Sequence, residues 1–317
     1  MENILKVKPH FKEKIWGGSR LNDRFNFDSP YEKTGECWAV SGISEGETTI
    51  EGGTCDGQSL NDVYKQHPAW FGFCDHDTFP ILVKIIDVQD DLSIQVHPND
   101  HDAQAMGYKH GKAEAWYILE ATDRSEVVLG HTCSTREELE YCLNHPTDHE
   151  WLNRFNIRSN QFYYLPGGTI HGKCAHTLLY EIEQNSDIGF RIYDYKRLDQ
   201  TNQPRPLHRK EALSSIKIPD ITREVAPTKI ITSTMKHTSF LKSEHFIVEH
   251  AIIDEDTHFA HDSPFTIIGF LSDGGLNGVE YKAGDHVIVL NHCKTFTLTH
   301  GSEVMIIHMP KTKEDIV

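Results

Sequence analysis

Short runs rich in β-branched and aromatic residues recur along this chain, each bounded by Gly, Asn, Asp or Pro, and none is followed by a long stretch of helical period. "TTIEGGT", "PILVKIID", "LSIQVHP", "AEAWYILE", "SEVVLG", "QFYYLPGG", "TLLYEIEQ" and "GFRIYDY" are followed, beyond residue 230, by "FIVEHAII", "FTIIGFL", "HVIVL", "KTFTLTH" and "EVMIIHM". Closely spaced strands separated by turn residues build antiparallel sandwiches or barrels. A doubly wound parallel sheet is excluded, because it needs a helix between successive strands. Two helices interrupt the pattern. "SLNDVYKQHPAWFG" offers Ser59 as N-cap with Asp62 in the first turn, and "STREELEYCLNH" sets Thr135 three residues before Glu138, the spacing of a capping box.

"YYLPGGTIHG" (163–172) and "EYKAGDHVIVL" (280–290) each place a tight turn just before a strand. Such turns recur in jelly-roll barrels of the cupin kind, where a strand ends, reverses and re-enters the barrel. The expectation is a mainly β chain of two cupin-like jelly-roll barrels with a few helical insertions. Residues 1–225 form the metal-bearing catalytic domain and 226–317 a structural C-terminal barrel, linked through the weakly periodic stretch 212–234.

Charge narrows the partners. Asp and Glu number 47 against 31 Lys and Arg, for a formal net charge of -16 among 317 residues. That balance excludes a broad surface for nucleic acid or anionic membrane, and leaves room for a basic patch only inside a pocket. The opening residues are interrupted by lysines and lack the apolar core of a signal peptide. The greasiest stretches fall short of the ~20 residues that span a bilayer. Seven cysteines without a C-x-x-C pair fit reduced thiols in the cytoplasm. A monomer, or at most a weak dimer, is expected.

"DLSIQVHPND" (91–100) carries the chemistry. In extended chain Ile94 and Val96 take one face, while Ser93, Gln95 and His97 take the other. In "GKAEAWYIL" (111–119), Lys112, Glu114 and Trp116 share a face opposite Ala113, Ala115 and Tyr117, and His171 stands just past the "PGGT" turn. Any one of these residues is ordinary. Together, polar faces on strands whose apolar residues occupy the other parity must look into a cavity, because buried charges need partners or a metal. Two His, one Glu and an amide oxygen suit a divalent cation such as zinc. A second cluster, "LLYEIEQNSDIGFRIYDYKR" (178–197), sets Glu181 and Glu183 on one parity, and Arg191, Tyr193 and Tyr195 on one parity of the next strand, with Lys196 and Arg197 beyond. Guanidinium groups concentrated in an acidic protein point to an anionic ligand.

"LSIQVHP", "GKAEAWYIL", "PGGTIHG" and "EIEQNSDIGFRIYDYKR", in this order, closely resemble type I phosphomannose isomerases of the short bacterial form, as do "KIWGG" and "TGECWAVSG" near the N-terminus. The resemblance runs from about residue 8 to 197. It implies one zinc ion per chain, held by Gln95, His97, Glu114 and His171. It further implies functional roles for Lys112, Arg191 and the cavity glutamate Glu181, and substrate contacts from Lys84, Ser93 and Arg197, with Lys196 as the competing choice to Arg197. The reaction implied is interconversion of D-mannose 6-phosphate and D-fructose 6-phosphate through an enediol. Ala115, and the loop "HGKCAHTL" after His171, depart from the usual pattern and bear on pocket shape. The alternatives are another cupin metalloenzyme, such as an iron oxygenase, an isomerase acting on a different sugar, and a sugar-phosphate-binding regulator. The filled ligand set disfavours the last.

Overall fold

A computed structural model describes residues 2–74, 76–145, 150–198 and 202–311. Most of the expected runs become strands, and these assemble into four sheets. Two of the sheets face each other and build the site. The six-stranded one runs, in spatial order, Phe162–Leu165, Glu114–Glu120, Thr177–Gln184, Ile81–Val88, Thr34–Val40 and His10–Gly18. The five-stranded one runs Phe190–Tyr193, Ile94–Val96, His171–Lys173, Glu126–His131 and Leu152–Asn156. Neighbours in both pair antiparallel.

Alternation decides which residues go where. From the six-stranded sheet Val83, Ile85, Ala115, Tyr117, Tyr180 and Ile182 enter one core together with Phe265, Ile267, Ile288 and Ile307 of the eight-stranded sheet. Their sequence neighbours on the other parity turn toward the five-stranded sheet. There Ile86, Val88, Trp116, Ile118 and Leu179 pack with Val127 and Leu129, which closes one end of the space between the sheets. The back of the five-stranded sheet, Ile94, Val96, Ile170 and Phe190, is covered by Leu139 and Leu143 of the helix Arg136–Asn144 and by Ala212 of the helix Arg209–Ser215.

Both anticipated helices form. Ser59 accepts from Asp62 N at 3.1 Å and caps Leu60–Gln66, and Thr135 accepts from Glu138 N at 3.2 Å and caps Arg136–Asn144. Helices Arg20–Phe25, Asp100–Ala105 and Arg209–Ser215 were not anticipated. Each spans six or seven residues, fewer than two full turns and too short to impress a period on the sequence, whereas the equally short Leu60–Gln66 is marked by its Ser59 cap.

The eight-stranded sheet takes strands from both ends of the chain. Ile4–Lys8 pairs with His286–Leu290, Leu5 opposite Ile288, and with Thr49–Glu51. Hydrogen bonding therefore crosses the boundary drawn near residue 225. The stretch 212–234 contains the end of a helix and an edge strand, Thr228–Ile231, whose residues are exposed on both faces and so show no alternation. All seven cysteines are free. Among the described residues no helix is long and apolar enough to cross a membrane.

One polar contact joins the site-bearing sheet to the eight-stranded one. His286 donates from Nδ1 to the Gly284 carbonyl at 2.8 Å, so its Nε2 accepts from the Tyr180 hydroxyl at 2.7 Å, with both side chains buried. Removing that hydroxyl strands a buried acceptor, which costs about 1–3 kcal/mol. Tyr180→Phe is therefore expected to lower the melting temperature by several degrees, and an unchanged melt contradicts this role.

Candidate active site

At the end not filled by apolar packing, the two sheets enclose a polar cavity of about 310 Å³. Glu36, Trp38, Lys84, Glu114, Glu181 and Glu183 line it from the six-stranded sheet. Gln95, Lys173 and Arg191 line it from the five-stranded sheet, with Ser93 and His97 flanking the strand that carries Gln95. The period-2 rule thus places Lys84, Glu114, Glu181 and Glu183 together, because each sits between core residues on its own strand.

The histidines are held from behind. His97 donates from Nδ1 to the Ile188 carbonyl at 2.6 Å, and His171 from Nδ1 to the Thr169 carbonyl at 3.0 Å. Those bonds fix the tautomer and aim both Nε2 lone pairs at Glu114, at 2.9 Å from Oε1 for His97 and 3.7 Å from Oε2 for His171. Both Nε2 atoms are buried without a hydrogen-bond partner. Burial lowers the pKa of each imidazole, that of His171 to about 3, despite the opposing pull of Glu114, so the neutral, ligating forms are favoured. Two lone pairs facing a carboxylate repel each other unless a cation sits among them. The ligand atoms of His97, Glu114 and His171 lie within 4.8 Å of one another. Gln95 is paired directly across from His171, and its Oε1 lies beside the His97 ring at the close approach of Gly189, where an added Cβ would come within 3.0 Å of His97 Cε1. The "PGGT" turn is tied in as well: Gly168, at φ +90°, donates its N–H to the His97 carbonyl at 2.7 Å. This donor set fits a divalent metal.

Around it lies a network of buried ion pairs. Lys112 Nζ is 3.2 Å from Glu114 Oε1 and 3.1 Å from Glu183 Oε2. Lys84 Nζ is 3.0 Å from Glu183 and 3.9 Å from Glu181 Oε2. Burial alone would lower Lys84, but Glu183 and Glu181 raise it above the usual lysine value, so it is charged. Lys173 Nζ is 2.5 Å from Glu181 Oε1, and the Trp116 indole donates to Glu181 Oε1 at 2.7 Å and to Glu114 Oε2 at 3.1 Å. Burial would raise Glu36, yet Lys14 and Lys84, with the Trp38 indole, hold it down to about 2.

A guanidinium pair closes the cavity. Arg191 Nε is buried without a partner while Nη1 donates to the Pro206 carbonyl at 3.0 Å, and His208 bonds the Arg191 backbone at both N and O. Burial, then the neighbouring Arg205, lower the Arg191 pKa. Arg205 lines the cavity and is gripped at both nitrogens by Asp194. Arg197 is off the lining: it bonds Asp194 and the Asp91 carbonyl. Lys196 is exposed, at φ +58°.

The structure therefore brings together Gln95, His97, Glu114 and His171, and around them Lys112, Glu181, Lys84, Ser93 and Arg191, but not Arg197 or Lys196. Lys173, Glu183 and Arg205 are among the cavity residues that escaped assignment. Lys173 and Glu183 lie two positions from His171 and Glu181, so parity alone could have placed them in the cavity. Arg205 sits in a Pro-bounded loop outside any strand, and no periodic signal marks it.

The family described as phosphomannose isomerase type I, catalytic domain, matches residues 4–133. A relative from Bacillus subtilis (strain 168), "Probable mannose-6-phosphate isomerase GmuF", is 38% identical over 314 residues, covering 97% of this chain and 100% of that protein. A second from the same organism, the mannose-6-phosphate isomerase ManA, is 33% identical over 96% of this chain and 98% of its own length. The crystal structure of a Bacillus subtilis mannose 6-phosphate isomerase superposes with a TM-score of 0.93 at 34% identity, covering 97% of this chain and 100% of that one. A zinc-bound mannose 6-phosphate isomerase shares the fold at a TM-score of 0.77 and 15% identity, covering 97% of this chain and 99% of that one.

Proposed function

The chain belongs to the type I phosphomannose isomerases, and we propose that the cavity between its facing sheets interconverts D-mannose 6-phosphate and D-fructose 6-phosphate with one zinc ion. The observation that carries this reading is the pair of buried, unpartnered Nε2 atoms aimed at Glu114. Gln95, His97, Glu114 and His171 hold the metal. When bound, zinc acts as a Lewis acid that polarises the sugar oxygens near C1 and C2 and stabilises negative charge as it develops.

The rest is work for side chains. Isomerisation moves a proton from C2 to C1 and another between the two oxygens. Glu181 has one oxygen pinned by Trp116 while Oε2 is buried and unpartnered, the arrangement of a base with a free lone pair. It takes the C2 proton to give the enediol and returns it to C1. Lys112 sits at the junction of Glu114 and Glu183, where an ammonium can donate to a sugar oxygen. Arg191 presents its free Nε to the developing enediolate. Lys84, committed to Glu183 and Glu181, shapes the floor.

Ser93 and Arg205, which line the cavity, receive the phosphate in this reading, and Arg197 supports Arg205 through their shared Asp194. A charge-assisted hydrogen bond contributes about 1.5–3 kcal/mol, so Arg205→Ala is expected to raise KM for mannose 6-phosphate roughly tenfold or more. Initial-rate kinetics that show an unchanged KM contradict that contact. The described cavity lining runs from Lys14 to Arg205. A monomer is the state proposed, with a weak dimer as the alternative, and residues 226–317 serve a structural role. Free thiols suit the cytoplasm.

The reaction is tested by following mannose 6-phosphate by NMR in the presence of zinc-loaded protein. Appearance of fructose 6-phosphate supports the assignment, and no turnover by protein holding one zinc per chain contradicts it.

A further inference from the structure

Lys173 is a cavity lysine to which neither the motif resemblance nor the ligand set gives a role. Its side chain is only 5% exposed, and it lies on the same strand as His171, two residues on and so on the same face. Nζ is 2.5 Å from Glu181 Oε1, 3.9 Å from Glu114 Oε2 and 4.7 Å from the Trp116 ring centroid. Burying an ammonium group is costly unless it is paired, and three groups converge on this one.

Glu181 Oε1 is thereby gripped twice, by Lys173 from one side and by the Trp116 indole from the other. Oε2 of the same carboxylate has no hydrogen-bond partner, and Lys84, 3.9 Å from it, is committed to Glu183 at 3.0 Å. A carboxylate with a single oxygen fixed at two points cannot rotate its second oxygen away from the cavity without breaking the ion pair. Trp116 alone leaves that rotation open, because a single donor bond is compatible with turning about it.

We infer that Lys173 is a positioning residue for the isomerisation: its ammonium group locks Glu181 so that Oε2 faces the carbon-bound proton of the sugar. The inference rests on the isomerase reading above. Lys173 does not itself touch the reacting carbons. It contributes by holding the base within the narrow range of geometry that proton transfer requires, where a misplacement of 1 Å can cost about 100-fold.

The test compares Lys173→Met, which keeps most of the unbranched stem and removes the charge, with Lys173→Arg, which keeps the charge, each in the wild type and in Glu181→Gln. With zinc content at one per chain, Lys173→Met is expected to lower kcat about 30-fold to 100-fold while KM changes less than about threefold. The primary isotope effect on kcat for mannose 6-phosphate deuterated at C2 is expected to rise, because a misaligned base slows proton transfer selectively. Lys173→Arg is expected to recover most of kcat. In the Glu181→Gln background, the Lys173→Met substitution is expected to add less than about a threefold loss, since the two residues act as one unit. An unchanged kcat or isotope effect in Lys173→Met, or the same fold-loss in both backgrounds, overturns the inference. Should Lys173→Met not fold, the Arg variant decides through the same isotope effect and cycle: near wild-type values support positioning by charge, and Met-like loss in a folded Arg variant refutes it. Failure of the wild type itself to turn over mannose 6-phosphate would instead refute the isomerase reading, so the two failures are distinct.

Discussion

Replacing Glu114 by glutamine is expected to reduce zinc content from one ion per chain to near zero and turnover by roughly three orders of magnitude. Glu114 is fully buried, and its two oxygens meet His97, His171, Lys112, Lys173 and Trp116. Burial alone would raise its pKa, yet the ammonium groups of Lys173 and Lys112 hold the carboxyl well below the usual range, so it is an anion at every pH of interest. An amide keeps the shape and removes the charge that reconciles two imidazole lone pairs with a cation. Glutamine is preferable to alanine, because leaving Lys112 and Lys173 facing a void would cost about 3–5 kcal/mol and confuse loss of metal with loss of fold. Metal analysis beside circular dichroism separates the two effects. A folded Glu114→Gln protein that retains stoichiometric zinc and full turnover would contradict the ligand assignment.

Arg191→Ala is expected to act differently, lowering kcat about 100-fold with zinc content and melting temperature close to wild type. The guanidinium donates to the Pro206 carbonyl and leaves Nε unpartnered at the cavity, so its loss removes a donor available to the transition state without touching the metal ligands. Its backbone remains clamped by His208, which is why little stability should be lost. Steady-state kinetics decide this. A change confined to KM would reassign Arg191 to ground-state binding, and an unchanged kcat/KM would remove it from the site.

Much of this site could be read from side-chain parity. Lys84, Gln95, Glu114 and Glu181 each interrupt an apolar strand on one face, and a sheet buried on both sides has no bland place for such residues. Ile81–Val88 shows it directly: every residue is buried, so a charge there needs partners, which Asp87 finds in Arg20 and Lys84 finds in the glutamates of the cavity. The same rule reaches Lys173 and Glu183, which share the faces of His171 and Glu181. Parity fails where the chain leaves extended geometry. The strand register slips between Arg191 and Tyr193, and beyond it the fold turns Arg197, which the motif resemblance implies as a substrate contact, toward Asp194 and brings Arg205 to the cavity from a loop. Long-range pairing is equally invisible to local pattern. Nothing in "ILKVK" indicates that Ile4–Lys8 joins a sheet made chiefly of residues beyond 228, because that choice is set by which edge remains open once the rest has assembled.

The most direct test of the zinc-dependent isomerase is a coupled assay of fructose 6-phosphate formation on purified protein, before chelation, after chelation, and during titration of zinc back into the apo form. Activity should vanish with the metal and return in proportion to added zinc, reaching its plateau at one equivalent per chain. Full activity in protein verified to be free of metal would contradict the account.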